Sequence, residues 1–191
     1  MRRALPILVA VLACFATTHA QASDRVPLRI LAINDLHGNL EPPPGGIRID
    51  DPSNKDRKIR VNAGGVEYMA TLVKRLRADH RNTIFVAAGD LIGASPFLSA
   101  MFHDEPTVES LSLMGMEVAS VGNHEFDEGK TELLRMQNGG CHPTDGCRGP
   151  HPFTGAKFRY LAASTFDRST GTTLFPPYVI KTFDGIPVAF I

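Results

Sequence analysis

Three short polar clusters, each directly after an apolar run, carry the residue types that bind metal ions. They are Asn34–Gly38, which holds an aspartate and a histidine, Gly89–Asp90, and Gly122–Asp127, which holds an asparagine, a histidine and two acidic residues. Carboxylate, amide and imidazole groups together form a mixed oxygen and nitrogen ligand set suited to two divalent cations. Two adjacent cations are the usual device for hydrolysing phosphate esters with water. The clusters therefore predict a two-metal hydrolytic site.

The apolar run before each cluster is typical of a buried strand. The strands are predicted at Leu28–Ile33, Thr83–Ala88 and Val118–Val121. Apolar residues at helical spacing indicate a helix between successive strands and after the last one. These helices are predicted from Val66 to Leu76, from about Pro106 to Met116, and after Asp127 through Met136.

Successive strand–turn–helix units predict an α/β fold with a parallel sheet and right-handed crossovers. The carboxyl ends of parallel strands meet at one edge, so this edge is expected to collect all three clusters. A fourth strand is predicted at Phe158–Ala163, and a hairpin at Tyr178–Ile191 around Asp184–Gly185. Glu41–Asn62 is rich in proline, glycine and charge, which predicts a long surface loop.

Four residues of the clusters are the candidate metal ligands. Asp35 and His37 lie two residues apart at a strand end, so both side chains can face one ion. Asp90 can give one carboxylate oxygen to each of two ions, and Asn123 offers a neutral amide oxygen. Taken singly, the first two clusters are more typical of turn and cap residues than of metal ligands, and the third could be a helix N-cap segment with Glu125 and Asp127 on the helix dipole. One shared site accounts for all three clusters at once.

His124 and Asp127 are the candidate catalytic pair. His124 follows a predicted ligand and would point past the metals toward a substrate oxygen. Asp127 would accept a hydrogen bond from the other ring nitrogen, which fixes the tautomer of His124 and favours its charged form.

The same motifs resemble a known family. Asn34–Gly38, Gly89–Asp90 with Ser95–Pro96 beyond it, and Gly122–Asp127 are similar to the signature of the calcineurin-like metallophosphoesterases. Within them the sequence resembles the exported 5′-nucleotidase / UDP-sugar hydrolase family. The resemblance implies a layered α/β sandwich and two divalent ions such as Mn²⁺, Zn²⁺ or Co²⁺. It also implies in-line attack of metal-bound hydroxide on a nucleotide or nucleotide-sugar substrate, in nucleotide catabolism.

The resemblance assigns the site residues the same roles as the residue chemistry does. Asp35 and His37 correspond to ligands of the first metal, Asp90 to the bridging ligand and Asn123 to a ligand of the second. His124 corresponds to the histidine that contacts the phosphate, with Asp127 as its partner. A 2′,3′-cyclic-nucleotide phosphodiesterase with the same clusters is an alternative.

The family also implies parts that this sequence does not contain. Its members complete the metals with later histidines, including a Gly-His-x-His segment, and bind the nucleotide with a separate C-terminal domain. No such segment occurs here, and the apolar run Ile186–Ile191 is the last of the sequence. Residues 23–191 are therefore expected to be the N-terminal portion of a metallophosphoesterase domain, truncated within the sheet. The alternative to an active enzyme is a catalytically incompetent fragment.

The N-terminus is typical of an export signal. Arg2 and Arg3 precede the apolar segment Ala4–Ala16, and small residues favour cleavage after Ala22. The apolar segment is shorter than the roughly 20 residues that a membrane span needs. A signal peptide over residues 1–22 predicts a periplasmic or secreted protein that is free of the membrane after cleavage. Lipidation of Cys14 is the alternative.

Charge and cysteines set two further expectations. Lys and Arg number 20 and Asp and Glu number 20, so the chain has no basic field for nucleic acid. Cys141 and Cys147 bracket a short turn, and in an oxidising compartment they are expected to form a disulfide. Free thiols, or zinc held with His142 or His151, are the alternatives.

Overall fold

The computed structural model describes residues 25–191; the predicted signal peptide and Cys14 lie outside them. Among the described residues, no helix has the length and apolar character needed to cross a bilayer. The strands are β1 (Arg29–Ile33), β2 (Ile47–Asp51), β3 (Asn54–Val61), β4 (Thr83–Ala87), β5 (Val118–Ser120), β6 (Arg159–Leu161), β7 (Val179–Phe183) and β8 (Ile186–Phe190), and the helices are α1 (Val66–Ala78), α2 (Phe97–Ala100), α3 (Glu105–Leu113) and α4 (Gly129–Asn138).

The central sheet contains four parallel strands in the order β1-β4-β5-β6. Ile30 pairs with Ile84, and Ala119 pairs with Tyr160. Helices lie between the strands along the chain, α1 before β4, α3 before β5 and α4 before β6. The predicted parallel α/β fold is therefore confirmed, and the carboxyl ends of β1, β4 and β5 share one edge.

Side chains of this sheet alternate between two covered faces. Phe85 and Tyr160 are fully buried in the larger apolar core, which the helices share. Ile84 and Leu161 point to the opposite face, where Phe190 of the β7–β8 hairpin packs against them. The sheet is thus the middle layer between helices and a hairpin, and its strands are apolar on both faces for this reason.

The structure also contains two antiparallel hairpins, and one of them differs from the sequence prediction. The predicted hairpin around Asp184–Gly185 is confirmed as β7–β8, with both turn residues at positive φ (46° and 86°). Glu41–Asn62 was expected to be a loop, but it contains the antiparallel hairpin β2–β3. Ile49 pairs with Ile59, and each isoleucine alternates with charged residues along its strand. The high charge of the segment concealed this alternation in the sequence.

A buried ion cluster holds α3 to α4. The guanidinium of Arg135 donates to Glu105 and, through two nitrogens, to Glu132, and all three side chains are less than 10% exposed. The guanidinium also lies 5.3 Å from the centre of the Phe153 ring. Within residues 25–191, Arg135 is the cation that both buried carboxylates share, so each of them depends on it.

Replacing Arg135 by alanine is therefore expected to destabilise the protein strongly. The variant leaves two buried carboxylates without a cation, at a cost of about 3–5 kcal/mol. Urea unfolding measures the free energy, with exposed Arg75 on α1 as the control, since Arg75→Ala is expected to change it by no more than about 0.5 kcal/mol. Equal stability of the two variants would contradict the pairing.

Candidate functional site

The turns that follow β1 and β4 are joined by main-chain hydrogen bonds. The amide of Asp35 donates to the carbonyl of Gly89 (3.2 Å), and the amide of His37 donates to the carbonyl of Asp90 (3.1 Å). Asp35, His37 and Asp90 all have positive φ, at 51°, 45° and 52°. Such backbone costs of order 1–3 kcal/mol per residue and persists only where the surroundings impose it. Three residues with this strained backbone lie on two adjoining turns, so the surrounding structure holds this edge of the sheet in one defined conformation.

The same three side chains converge. One ligand atom from each of Asp35, His37 and Asp90 lies within 4.8 Å of the other two. The Nδ1 atom of His37 lies 2.9 Å from the carbonyl oxygen of Gly93. A carbonyl only accepts, so Nδ1 carries a proton, and the lone pair of a neutral His37 ring lies on Nε2, which is 3.8 Å from a carboxylate oxygen of Asp35. Two carboxylates and an imidazole in this tautomer fit a divalent cation.

Asn123 lies on the same edge, two residues beyond Val121. It is exposed and begins the 3-10 turn His124–Phe126, with its own carbonyl accepting the amide of Phe126 (3.1 Å). The topology brings Asn123 to the site, and its assignment as a ligand of a second metal stays a prediction.

His124 stands beside the candidate ligands, as its place in the sequence predicts. Its ring meets the ring of His37 edge to face, with centroids 4.8 Å apart. Its Nδ1 donates to a carboxylate oxygen of Asp127 at 2.8 Å. This hydrogen bond raises the pKa of His124, and the negative charge of Asp127 and Asp90 adds to the effect while partial burial opposes it. The pair therefore presents a histidine that is held in one orientation and favours its charged form.

Glu125 is a site residue whose role the sequence did not reveal. The residue is 2% exposed, and its carboxylate accepts hydrogen bonds from the amides of Asp90 (2.9 Å), Leu91 (2.8 Å) and Gly122 (2.6 Å). Burial raises the pKa of Glu125, and these hydrogen bonds oppose the shift. The dipole of the following helix does not explain its position, because none of the three donors belongs to that helix.

A second histidine cluster lies next to this site. The rings of His103 and His142 stack with centroids 3.8 Å apart. Both nitrogens of His103 face carboxylates, of Glu128 and Asp145, each at 3.0 Å. The amide of Asp145 donates to Nδ1 of His142 (3.1 Å), which leaves the proton on Nε2. These groups also lie close enough to one another, together with Glu132, to hold a metal ion. In the structure the ring nitrogens of His103 and Nδ1 of His142 are engaged in hydrogen bonds within the protein. The cluster is therefore a hydrogen-bonded junction.

The junction connects to the predicted disulfide. Cys141 and Cys147 are bonded to each other in the structure, with Cα atoms 4.5 Å apart. The loop that they close carries His142 and Asp145, so it is tied to the start of α4. The hydrogen bond from His103 lowers the pKa of Asp145, and the charge of Arg148 acts in the same direction.

Similarity to known proteins shows the family to which the chain belongs. The sequence profile of the calcineurin-like phosphoesterases matches residues 28–181, so the chain belongs to that family. An uncharacterized protein from the pqq-V 5′ region of Acinetobacter calcoaceticus is 44% identical, over 87% of this chain and 83% of that protein. The resemblance noted in the sequence is confirmed at the family level, and so is the fold.

Further relatives are longer proteins. Endonuclease YhcR of Bacillus subtilis (strain 168) is 41% identical over 88% of this chain and 13% of its own length. A 5′-nucleotidase of Vibrio cholerae is 28% identical, over 96% of this chain and 29% of its own. The structure of the Haemophilus influenzae NAD nucleotidase matches 85% of this chain and 25% of its own, with a TM-score of 0.64 and 27% identity. This chain thus spans less than a third of these three proteins.

Gly122 leaves no room for a side chain beside the candidate metal ligands. A Cβ atom there would overlap the carboxylate of Asp90. Gly122→Ala is expected to displace Asp90 and to weaken Mn²⁺ binding about tenfold or more, measured by calorimetric titration. In the control Gly149→Ala the nearest atom lies at 3.4 Å, so the same affinity as the parent is expected. Unchanged affinity in Gly122→Ala would argue against Asp90 as a ligand.

Proposed function

We propose that this chain is a metal-dependent phosphoesterase of the 5′-nucleotidase type, acting on phosphate esters of nucleotides or nucleotide sugars. The observation that carries this proposal is the contact between the rings of His37 and His124. It brings a ligand cluster that fits a cation next to a histidine that favours its charged form. Membership of the calcineurin-like phosphoesterases supports the reaction class.

Each side chain has a definite task in this proposal. Asp35, His37 and Asp90 would hold the first metal, and Asp90 with Asn123 the second. When bound, the two divalent ions supply Lewis acidity that activates water and neutralises phosphoryl charge. His124, whose charged form is favoured by its bond to Asp127, would donate a hydrogen bond from Nε2 to a phosphoryl oxygen. Charge that develops in the transition state is thereby stabilised by a group already held in place.

A small-molecule substrate is preferred over nucleic acid. The balanced charge of the chain offers no field for a polyanion. The specific observation in favour of nucleic acid is the 41% identity with an endonuclease, over 13% of that protein's length.

A periplasmic or secreted location, with the signal peptide removed, follows from the basic and apolar N-terminus. The substrate class and this location are both parts of the proposal.

Hydrolysis by the purified chain, with the products separated by chromatography, tests the reaction. AMP and UDP-glucose, with added Mn²⁺, Co²⁺ or Zn²⁺, are expected to be hydrolysed, and EDTA is expected to abolish turnover until metal is restored. 2′,3′-cyclic AMP and single-stranded DNA are the competing substrates. Cleavage of DNA alone would replace the nucleotidase proposal with an endonuclease. A folded protein that hydrolyses nothing in any metal would support the incompetent fragment instead.

The catalytic pair is tested by substitution. His124→Ala is expected to lower kcat by about 10²–10⁴-fold, the range for a positioned proton-transfer or charged group. Asp127→Asn keeps the size of the side chain but removes its negative charge, so a smaller loss is expected. The control is His151→Ala, since His151 is exposed and lies on the loop beyond the disulfide. Activity that survives in His124→Ala would point to a contaminating phosphatase.

A further inference from the structure

We propose that Glu125 is a positioning residue that sets the place of the candidate metal ligand Asp90, so that metal affinity depends on its carboxylate. This inference rests on the proposed metal-dependent function. Glu125 touches neither a metal ligand atom nor substrate in the proposal, and it acts through the main chain of Asp90.

The carboxylate of Glu125 joins two turns that lie far apart in the sequence. One oxygen accepts the amides of Asp90 and Gly122, and the other accepts the amide of Leu91. These are the turns that follow β4 and β5. Buried amides need acceptors, and the strands that would provide them have ended at this edge. An ionised carboxylate with two oxygens is well suited to bind three of them.

The residue that most needs this support is Asp90. Its φ of 52° lies in the left-handed region, which a residue with a side chain rarely adopts. Glu125 binds the amides on both sides of its Cα atom, of Asp90 itself and of Leu91. The strained conformation is therefore fixed from outside the turn, and with it the direction of the Asp90 side chain.

The contact is reciprocal, which couples the ligand to the catalytic histidine. The amide of His124 donates to Oδ1 of Asp90 at 3.0 Å. His124 and Glu125 are neighbours in sequence, so one binds the side chain of Asp90 and the other its main chain. A shift of Glu125 would consequently move Asp90 and His124 together.

The test compares Glu125→Gln with Glu128→Gln in the full chain. The amide side chain in Glu125→Gln would retain one acceptor oxygen and turn an NH₂ group toward peptide donors, so at least one of the three hydrogen bonds is lost. The Kd for Mn²⁺, measured by titration calorimetry, is expected to rise about 10–100-fold. Glu128 is a matched glutamate three residues further on, bonded to His103 and outside the proposed machinery. Its variant is expected to bind Mn²⁺ within about twofold of the parent.

A second measurement does not depend on activity or on metal. In the metal-free protein, amide hydrogen exchange by NMR is expected to accelerate at Asp90, Leu91 and Gly122 in Glu125→Gln and to stay unchanged in Glu128→Gln. If the parent binds no Mn²⁺, the proposed function fails, while the exchange rates still decide whether Glu125 fixes the turn.

A conservative variant covers the case in which Glu125→Gln does not fold. Glu125→Asp keeps the charge and both oxygens but shortens the side chain by one methylene group, so it is expected to give smaller changes of the same sign in both measurements. Parental Mn²⁺ affinity together with parental exchange at the three amides, in whichever variant folds, would overturn the proposal.

Discussion

The candidate site depends on a buried carboxylate that accepts three peptide amides where two strands of the sheet have ended. Within a parallel sheet each strand satisfies the amides of its neighbour, and this supply stops at the carboxyl edge. At this edge the carboxylate of Glu125 provides the hydrogen-bond acceptors for the amides of Asp90, Leu91 and Gly122. The cost of burying this charge is offset by hydrogen bonds to charged acceptors, which contribute more than neutral ones. Without this carboxylate, the three amides would need water molecules as hydrogen-bond acceptors.

Close approach of the turns follows from the same arrangement. A Cβ atom on Gly89 would overlap the backbone of Gly122, and one on Gly122 would overlap Asp90. The glycines are therefore required because a second turn occupies the space of a side chain. At this separation Asp90 reaches both the amide of His124 and the ligand atoms of the first turn. Sequence motifs at three separate positions become one site through this packing.

The sequence revealed the parts of this arrangement that depend on periodicity and topology. Apolar runs located β1, β4 and β5, and parallel pairing then placed Asp35, His37 and Asp90 on one edge. The hairpin β2–β3 was not recognised, because charged residues dominate both of its strands. The role of Glu125 was not recognised either, since its hydrogen-bond donors are fixed only once the turns meet. The contact of His103 with Asp145 spans 42 residues and carries no local signal.

This last contact ties the disulfide loop to Glu128, the residue directly before α4. Asp127 holds His124, and the next residue, Glu128, binds His103, which in turn binds Asp145 of the disulfide loop. The candidate catalytic pair has its own close contact, because a Cβ atom on Gly93 would overlap the carboxylate of Asp127. A histidine that is already hydrogen-bonded to its carboxylate partner needs little rearrangement as charge develops, and preorganisation of this kind is the protein's main contribution to phosphoryl-group chemistry.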